Sequence, residues 1–225
     1  VPLSARRFLG RSKSALALEM IDEADRAGMH YGFVGVDGGY GKEPAFLRGL
    51  TQRGKCFVAD VHKDQQVYLS DPQPVVPART GRGRAPTRRV SATPAIRVDA
   101  WAAAQPESAW KRLSLREGEK GEITAQYLHA QVWLWDGEEA QAHLWHLMVR
   151  REIGATEISH YVLSNAALDT PLAVLAGVQG QRFFIEHAFR EAKSECAMAD
   201  YQVRRWDAWH HHMALVLIAH LFLTK

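Results

Sequence analysis

Arg182, Glu186 and Lys193 stand at i, i+4 and i+11 in the stretch QGQRFFIEHAFREAK, residues 179–193. At about 100° per residue, the three leave one helix face within roughly 40° of one another. Phe184, Ile185, Ala188, Phe189 and Ala192 take the other side and predict a face that docks on a core. A carboxylate held between two cations along one face suits a ligand that is phosphorylated or metallic. The plain alternative is a surface helix with an Arg–Glu pair, worth only about 0.3–0.5 kcal/mol. Asp37 is the second residue to weigh. It follows the β-prone run YGFVGV, residues 31–36, and precedes the sharp turn Gly38-Gly39-Tyr40-Gly41. Its plain alternative is a turn residue that caps the next helix. A phosphate-binding P-loop is excluded, because Lys42 is followed by Glu43 and Val36 occupies the place of the first glycine.

Stepping outward from Asp37, the flanking pattern predicts how it is positioned. Ser12 or Ser14 caps a helix to about Ala27, with Leu16, Met20, Ile21 and Ala24 as its apolar stripe and Gly28 as its stop. Tyr31–Val36 is a buried strand. A helix from Pro44 to about Gln52 follows, and Lys55–Val61, KCFVADV, is a second strand. Strand, helix, strand at this spacing is a βαβ unit with parallel strands. Asp37 therefore stands at the carboxyl end of a parallel strand, where α/β sheets place their ligands.

From about Asp64 the pattern changes. Five prolines punctuate residues 72–94, and Arg79, Arg82, Arg84, Arg88 and Arg89 fall within them. This reads either as a loosely packed loop with solvated charge or as an arm that contacts the phosphates of a nucleic acid. Residues 95 to about 165 are β-rich, with strands at Trp110–Arg116, Glu122–Trp135, His143–Arg151 and Ile158–Leu163. Asp136-Gly137 predicts a hairpin turn. In the long strand, Tyr127, His129, Trp133 and Trp135 share one face, either a second packed surface or a platform for an unpaired base. After Asn165 the chain turns helical again. Asp169 or Thr170 caps a short helix, the Glu186 helix follows, and Arg205–Thr224 closes the chain with Trp206, Trp209, Met213, Leu217 and His220 near one face. His210, His211 and His212 are consecutive, so on a helix they diverge and do not converge on one metal ion.

Composition sets wide bounds. The 225 residues are 47% hydrophobic and 24% charged, as suits a globular chain of one large or two small domains. A net charge of +3 permits a polyanionic partner without demanding one. Cys56 and Cys196 give neither a disulfide framework nor zinc spacing, which points to a reducing compartment. No signal peptide is evident, and the apolar run Met213–Leu223 is too short to span a bilayer. The start at Val1 and the end at Lys225 both read as cut.

Two acidic groups far apart in sequence, with a β-rich insertion between them, offer hard oxygen ligands that suit Mg²⁺ or Mn²⁺ rather than zinc. Two such ions about 3.5–4 Å apart serve phosphodiester chemistry. At this point the sequence resembles the DDE-superfamily transposases of insertion sequences, which have a ribonuclease-H-like catalytic domain. VGVDGGYG at 34–41 resembles their second-Asp motif. R-x3-E-x6-K at 182–193 resembles their Tyr-x2-Arg-x3-Glu-x6-Lys signature, and 55–65, 144–152 and 200–215 are also similar.

The resemblance implies an α/β fold: a partial ribonuclease-H-like domain, made of the βαβ unit and C-terminal helices, interrupted by a β-rich insertion. Residues 1–63 would form the first part of the core and 64–166 the Pro/Arg-rich loop and insertion. Residues 167–225 would form the helical part that carries the catalytic Glu. The resemblance further implies metal-dependent cleavage and transfer of double-stranded DNA at transposon ends, within a homodimeric paired-end complex in the bacterial cytoplasm. Asp37 and Glu186 would be catalytic metal ligands for Mg²⁺ or Mn²⁺, and Arg182 and Lys193 would hold phosphates. The signature tyrosine falls on Gln179, which keeps a hydrogen bond to phosphate but loses the aromatic contact. An aromatic of the insertion, Trp133, Trp135 or Trp101, would stack on an extruded base. Only thirty-six residues precede Asp37, and Asp22 and Asp25 are helical, so the family's first Asp has no counterpart. The chain alone is therefore expected to bind Mg²⁺ poorly and to cut no DNA. The competing readings are a non-catalytic DNA-binding remnant and a hydrolase acting on small phosphodiesters.

Overall fold

The computed structural model describes residues 10–118 and 121–224. The readings of Val1 and Lys225 as cut ends lie outside the described residues. The chain divides into two compact units, residues 18–179 and, from the rest, 1–17 with 180–225.

In the larger unit, helix α1 (Lys13–Arg26) enters from the other unit and begins where Ser12 Oγ accepts the Ala15 N–H. Gly28, at φ 74°, closes it. Strand β1 is Val34–Val36, three residues shorter than expected at its start. It runs parallel to β2 (Phe57–Val61), with Val34 opposite Phe57. Tyr31 lies ahead of that first pair and is used otherwise. Its hydroxyl donates to Asp25, and Lys55 Nζ sits 4.8 Å from its ring centre. Asp37 then caps the single turn α2 (Gly38–Gly41), and α3 runs over Pro44–Gln52 as expected, burying Phe46, Leu47 and Leu50. All five residues of β2 are buried, as befits a strand covered on both faces.

A two-stranded ribbon, β3 (Gln66–Val67) with β4 (Ile96–Arg97), leads into α4 (Val98–Ala103). Strands β5 (Lys111–Gly118), β6 (Gly121–Leu134), β7 (His143–Glu152) and β8 (Ile158–Ser164) follow. They join the β1–β2 pair in one sheet of order β1-β2-β8-β7-β6-β5, in which every pair but the first is antiparallel. This mixed α/β arrangement is compatible with a partial ribonuclease-H-like domain. Side chains from one face, Val58, Ala125, Tyr127, Met148 and Val162, pack under Leu175 and Ala176 of α5 (Leu172–Gly180). On the other face Phe57 meets Trp145 edge-on at 5.1 Å.

Two expectations need correction here. Asp136-Gly137 is not a two-residue hairpin, because β6 ends at Leu134 and β7 starts at His143. The Asp136 carboxylate instead accepts the Glu138 and Glu139 N–H groups and is gripped with Glu138 by Arg48, which stabilises a longer loop. The helix after Asn165 starts at Leu172, with the Pro171 carbonyl accepting the Val174 N–H, so neither Asp169 nor Thr170 opens it. It also runs on through Gln179 to Gly180, so Gln179 lies in the last turn of α5 rather than leading the Glu186 helix.

The smaller unit contains α6 (Arg182–Glu195) and α7 (Trp206–Leu223). The two helices touch through a seam in which Ala192 and Val216 are buried. Glu191 faces His220 at 3.5 Å, and His212 Nε2 donates to the Ala197 carbonyl. The apolar side of α6 does not dock on a core: Phe184, Ile185 and Phe189 are each more than half exposed. The seam with α7 uses the flank at Ala192 instead. On α7 the stripe is Trp209, Met213, Val216 and His220, and Leu217 faces outward. Among the described residues, no helix is long and apolar enough to cross a membrane.

Candidate active site

Asp37 is exposed at the carboxyl end of β1. Its extended backbone and its Oδ1, which accepts the Tyr40 N–H at 3.0 Å, make it the cap of α2. The capping role read as the plain alternative is thus real, and it leaves the carboxylate at the rim of the sheet. The turn needs its glycines unequally. A Cβ at Gly41 would fall inside contact distance of the Asp60 carbonyl, so the chain passes there only without a side chain.

The parallel register ends at Val36 opposite Ala59, so Asp37 in one segment and Asp60 in the other each follow the last pair. Asp60 is buried on β2, and its Oδ2 lies 3.3 Å from His160 Nδ1 on β8. His62 follows β2, exposed, and comes within about van der Waals distance of where a Gly38 side chain would start. Asp60, His62 and His160 were missed in the sequence, although Asp60 and His62 alternate in KCFVADVHKD as residues on one strand face do.

On α6, Arg182 and Glu186 meet as an i, i+4 pair at 3.6 Å, and Glu186 and Lys193 are exposed. The structure therefore gathers the Arg-Glu-Lys stripe on one helix, while Asp37 belongs to the other compact unit. Gln179 is a correction. It is 4% exposed, and its Oε1 accepts both the Tyr127 hydroxyl at 3.0 Å and Arg150 Nη1 at 3.3 Å. The Gln179 side chain is thus committed inside the fold and is not presented to a phosphate.

The arginine arm is an irregular loop whose base is closed by the paired backbones of Val75 and Val90. Arg79, Arg82, Arg84 and Arg88 are exposed; Arg79 Nε donates to the Gly81 carbonyl. Arg89 is half-buried and donates to the Pro74 carbonyl at the base. Near this base, Trp133 is half-buried in the wall of a cleft of about 440 Å³ shared with Asp71, Gln73, Val75 and Gln141. Trp135 is tied down, donating its indole N–H to the Glu139 carbonyl beside Tyr68. Trp101 is buried. The aromatic face of β6 is therefore divided: Tyr127 is core, and its far end opens at Trp133.

A histidine pair, His146 buried and His129 half-buried, lies between. His146 is fully buried and donates from Nε2 to the Ala167 carbonyl, so its Nδ1 accepts from His129 Nε2 at 2.9 Å. Burial, with the His146 ring and Lys111 nearby, holds His129 below the ordinary histidine value. Among the described residues, no group of three or more His, Cys, Asp or Glu is placed to hold a metal ion.

A family model described as DDE superfamily endonuclease matches residues 7–122, a span that contains Asp37 and stops short of Glu186. No curated protein matches the chain.

Proposed function

The chain belongs to the DDE superfamily endonucleases, and from that premise we propose that it is catalytic-domain sequence of an insertion-sequence transposase, cleaving and joining DNA strands at the element's ends. The family is one of nucleases acting on DNA. In this reading residues 1–63 and 167–225 supply the core and 64–166 the insertion. Asp37 and Glu186 are the carboxylates that would hold Mg²⁺ or Mn²⁺. Their hard oxygens fit such an ion, which when bound activates a water or 3′-hydroxyl and offsets charge on the leaving oxygen. Arg182, Lys193 and the arm arginines hold phosphates of the duplex. Trp133, whose ring borders an open cleft, is preferred over Trp135 and Trp101 as the platform for an unpaired base. A paired-end complex would bring two copies together on DNA in the bacterial cytoplasm.

The observation that carries the proposal is the exposed Asp37 at the carboxyl end of a parallel strand, inside the matched span. The test is nicking of a supercoiled plasmid bearing the element's ends, with Mg²⁺ and with EDTA. Metal-dependent nicking that is lost in Asp37→Asn and in Glu186→Gln supports the catalytic reading and overturns the expectation that the chain alone is inactive; nicking that survives both variants sinks it. The absence of a three-ligand cluster among the described residues favours a second reading, a DNA-binding relative without catalysis. Salt-sensitive binding to the duplex with no metal-dependent nicking would select that reading.

A further inference from the structure

The carboxyl ends of β1 and β2 carry side chains beside Asp37 that the proposed reaction has not used. Strand β2 ends at Val61, and His62, Lys63 and Asp64 follow it, all exposed. The His62 ring lies against Gly38, the residue after Asp37. A Cβ on that glycine would stand 3.9 Å from the ring's Cδ2 and 4.0 Å from its Nε2. One ring nitrogen is thus at the turn that Asp37 caps through the Tyr40 N–H. Both groups belong to the larger unit.

The turn after β2 is pinned from outside. The His62 carbonyl accepts the Gln65 N–H at 3.0 Å, the Lys63 carbonyl accepts the Asp99 N–H at 3.1 Å, and the Gln65 carbonyl accepts the Val98 N–H at 2.9 Å. The start of α4 therefore holds it in place, and little ordering is left for the moment a ligand arrives. The acids close by are engaged. Asp60 faces His160 at 3.3 Å. Asp99 is taken by Arg97 at 2.6 Å, which holds its carboxyl below the usual range, and Lys63 adds only the smallest share. Asp64 adds to the field at Arg97. The His62 ring and the Lys63 ammonium are left at the surface.

A phosphodiester brought beside Asp37 meets a negative charge, so its approach calls for donors at the same rim. A lysine ammonium suits phosphate as a point charge, and an imidazole offers a ring N–H. We propose that His62 and Lys63 grip the DNA phosphate that is delivered to Asp37, His62 through a ring N–H to a non-bridging oxygen and Lys63 through its charge. The inference rests on the reading of Asp37 as a site carboxylate and adds the residues that seat the substrate beside it.

The test is affinity for a fluorescent duplex carrying the element's end, measured in EDTA over a salt series so that no cleavage enters. Lys63→Gln makes the log–log salt slope shallower by about 0.9, the share of one phosphate contact. His62→Ala weakens binding about five-fold, as the loss of one ordinary hydrogen bond does. His62→Gln keeps an N–H and regains most of that loss. Asp37→Asn tightens binding, because a repelling charge is gone. Combined with His62→Ala, it departs from additivity by about two-fold or more, since both side chains face one phosphate. Both His62 and Lys63 are exposed, so their variants melt as the wild type does. Unchanged affinity in His62→Ala, an unchanged slope in Lys63→Gln, strict additivity with Asp37→Asn, or a loss matched by a lowered melting midpoint overturns the proposal. Nicking that fails while these effects stand removes the catalytic reading and keeps the grip; nicking that needs Asp37 while the effects are missing does the reverse.

Discussion

Single atoms decide how Asp37 is presented. The turn that carries it passes so close to β2 that Gly41 has no room for a side chain against the Asp60 carbonyl, a backbone atom that cannot move aside. Gly41→Ala is expected to cost about 1–3 kcal/mol through forced backbone shifts, measured as a lower midpoint of urea unfolding. Gly35→Ala, two residues before Asp37 with nothing within 4 Å of the new carbon, is the control and should change stability by less than about 0.5 kcal/mol. Equal effects at the two sites would show that the close approach does not matter. The glycine run was legible in the sequence as a turn. Which glycine is indispensable was not, because the clash is with a strand some twenty residues on. A separation of 100 residues hid Asp60 and His160, whose meeting depends on β8 pairing with β2.

At the scale of elements, local patterns carried the helices and strands well. Pro44–Gln52 and the four long strands of 111–164 stand close to where periodicity set them. The sequence was silent where long-range partners decide. Nothing local reveals that β8 joins β2 and so makes one sheet, or that the α5 stripe closes with an inward-facing glutamine. It was also silent on the connector from β8 to α5. That connector is pinned by side chains of β6 and β7: His146 donates to the Ala167 carbonyl and Gln131 to the Leu168 carbonyl. His146 Nδ1 accepts in turn from His129. His129 is disfavoured as a cation in the fold, first by burial, then by His146 and Lys111. The folded chain thus binds this proton less readily than the unfolded one. The sign follows: the pair's stability is fully present above the ordinary histidine value of 6.5 and is lost as pH falls from there toward the lowered folded value. Thermal midpoints between pH 8 and pH 5 should therefore drop on the acid side. His129→Gln, which takes up no proton, should flatten that fall; an unchanged profile would remove the pair as its cause.

For the molecule as a whole, net charge is a weak guide and its distribution a better one. A balance of +3 says little, yet Arg82, Arg84 and Arg88 stand exposed on one loop whose base is pinned by Val75 and Val90. If the arm lies along a duplex, each arginine that neutralises a phosphate releases condensed counterions, and the binding constant falls with salt at a slope of about −0.9 per contact. Replacing all three by Gln should make the slope shallower by about 2–3 in log–log terms and weaken binding alike for transposon ends and unrelated DNA, since backbone contacts carry no sequence information. The folded sheet should be untouched, because the loop lies beyond its closed base. Affinity measured from about 50 to 200 mM salt covers the range where the effect is large. A slope that does not move would place the arm off the DNA and leave Arg182 and Lys193 to account for binding. A loss confined to transposon ends would make it a reader of sequence.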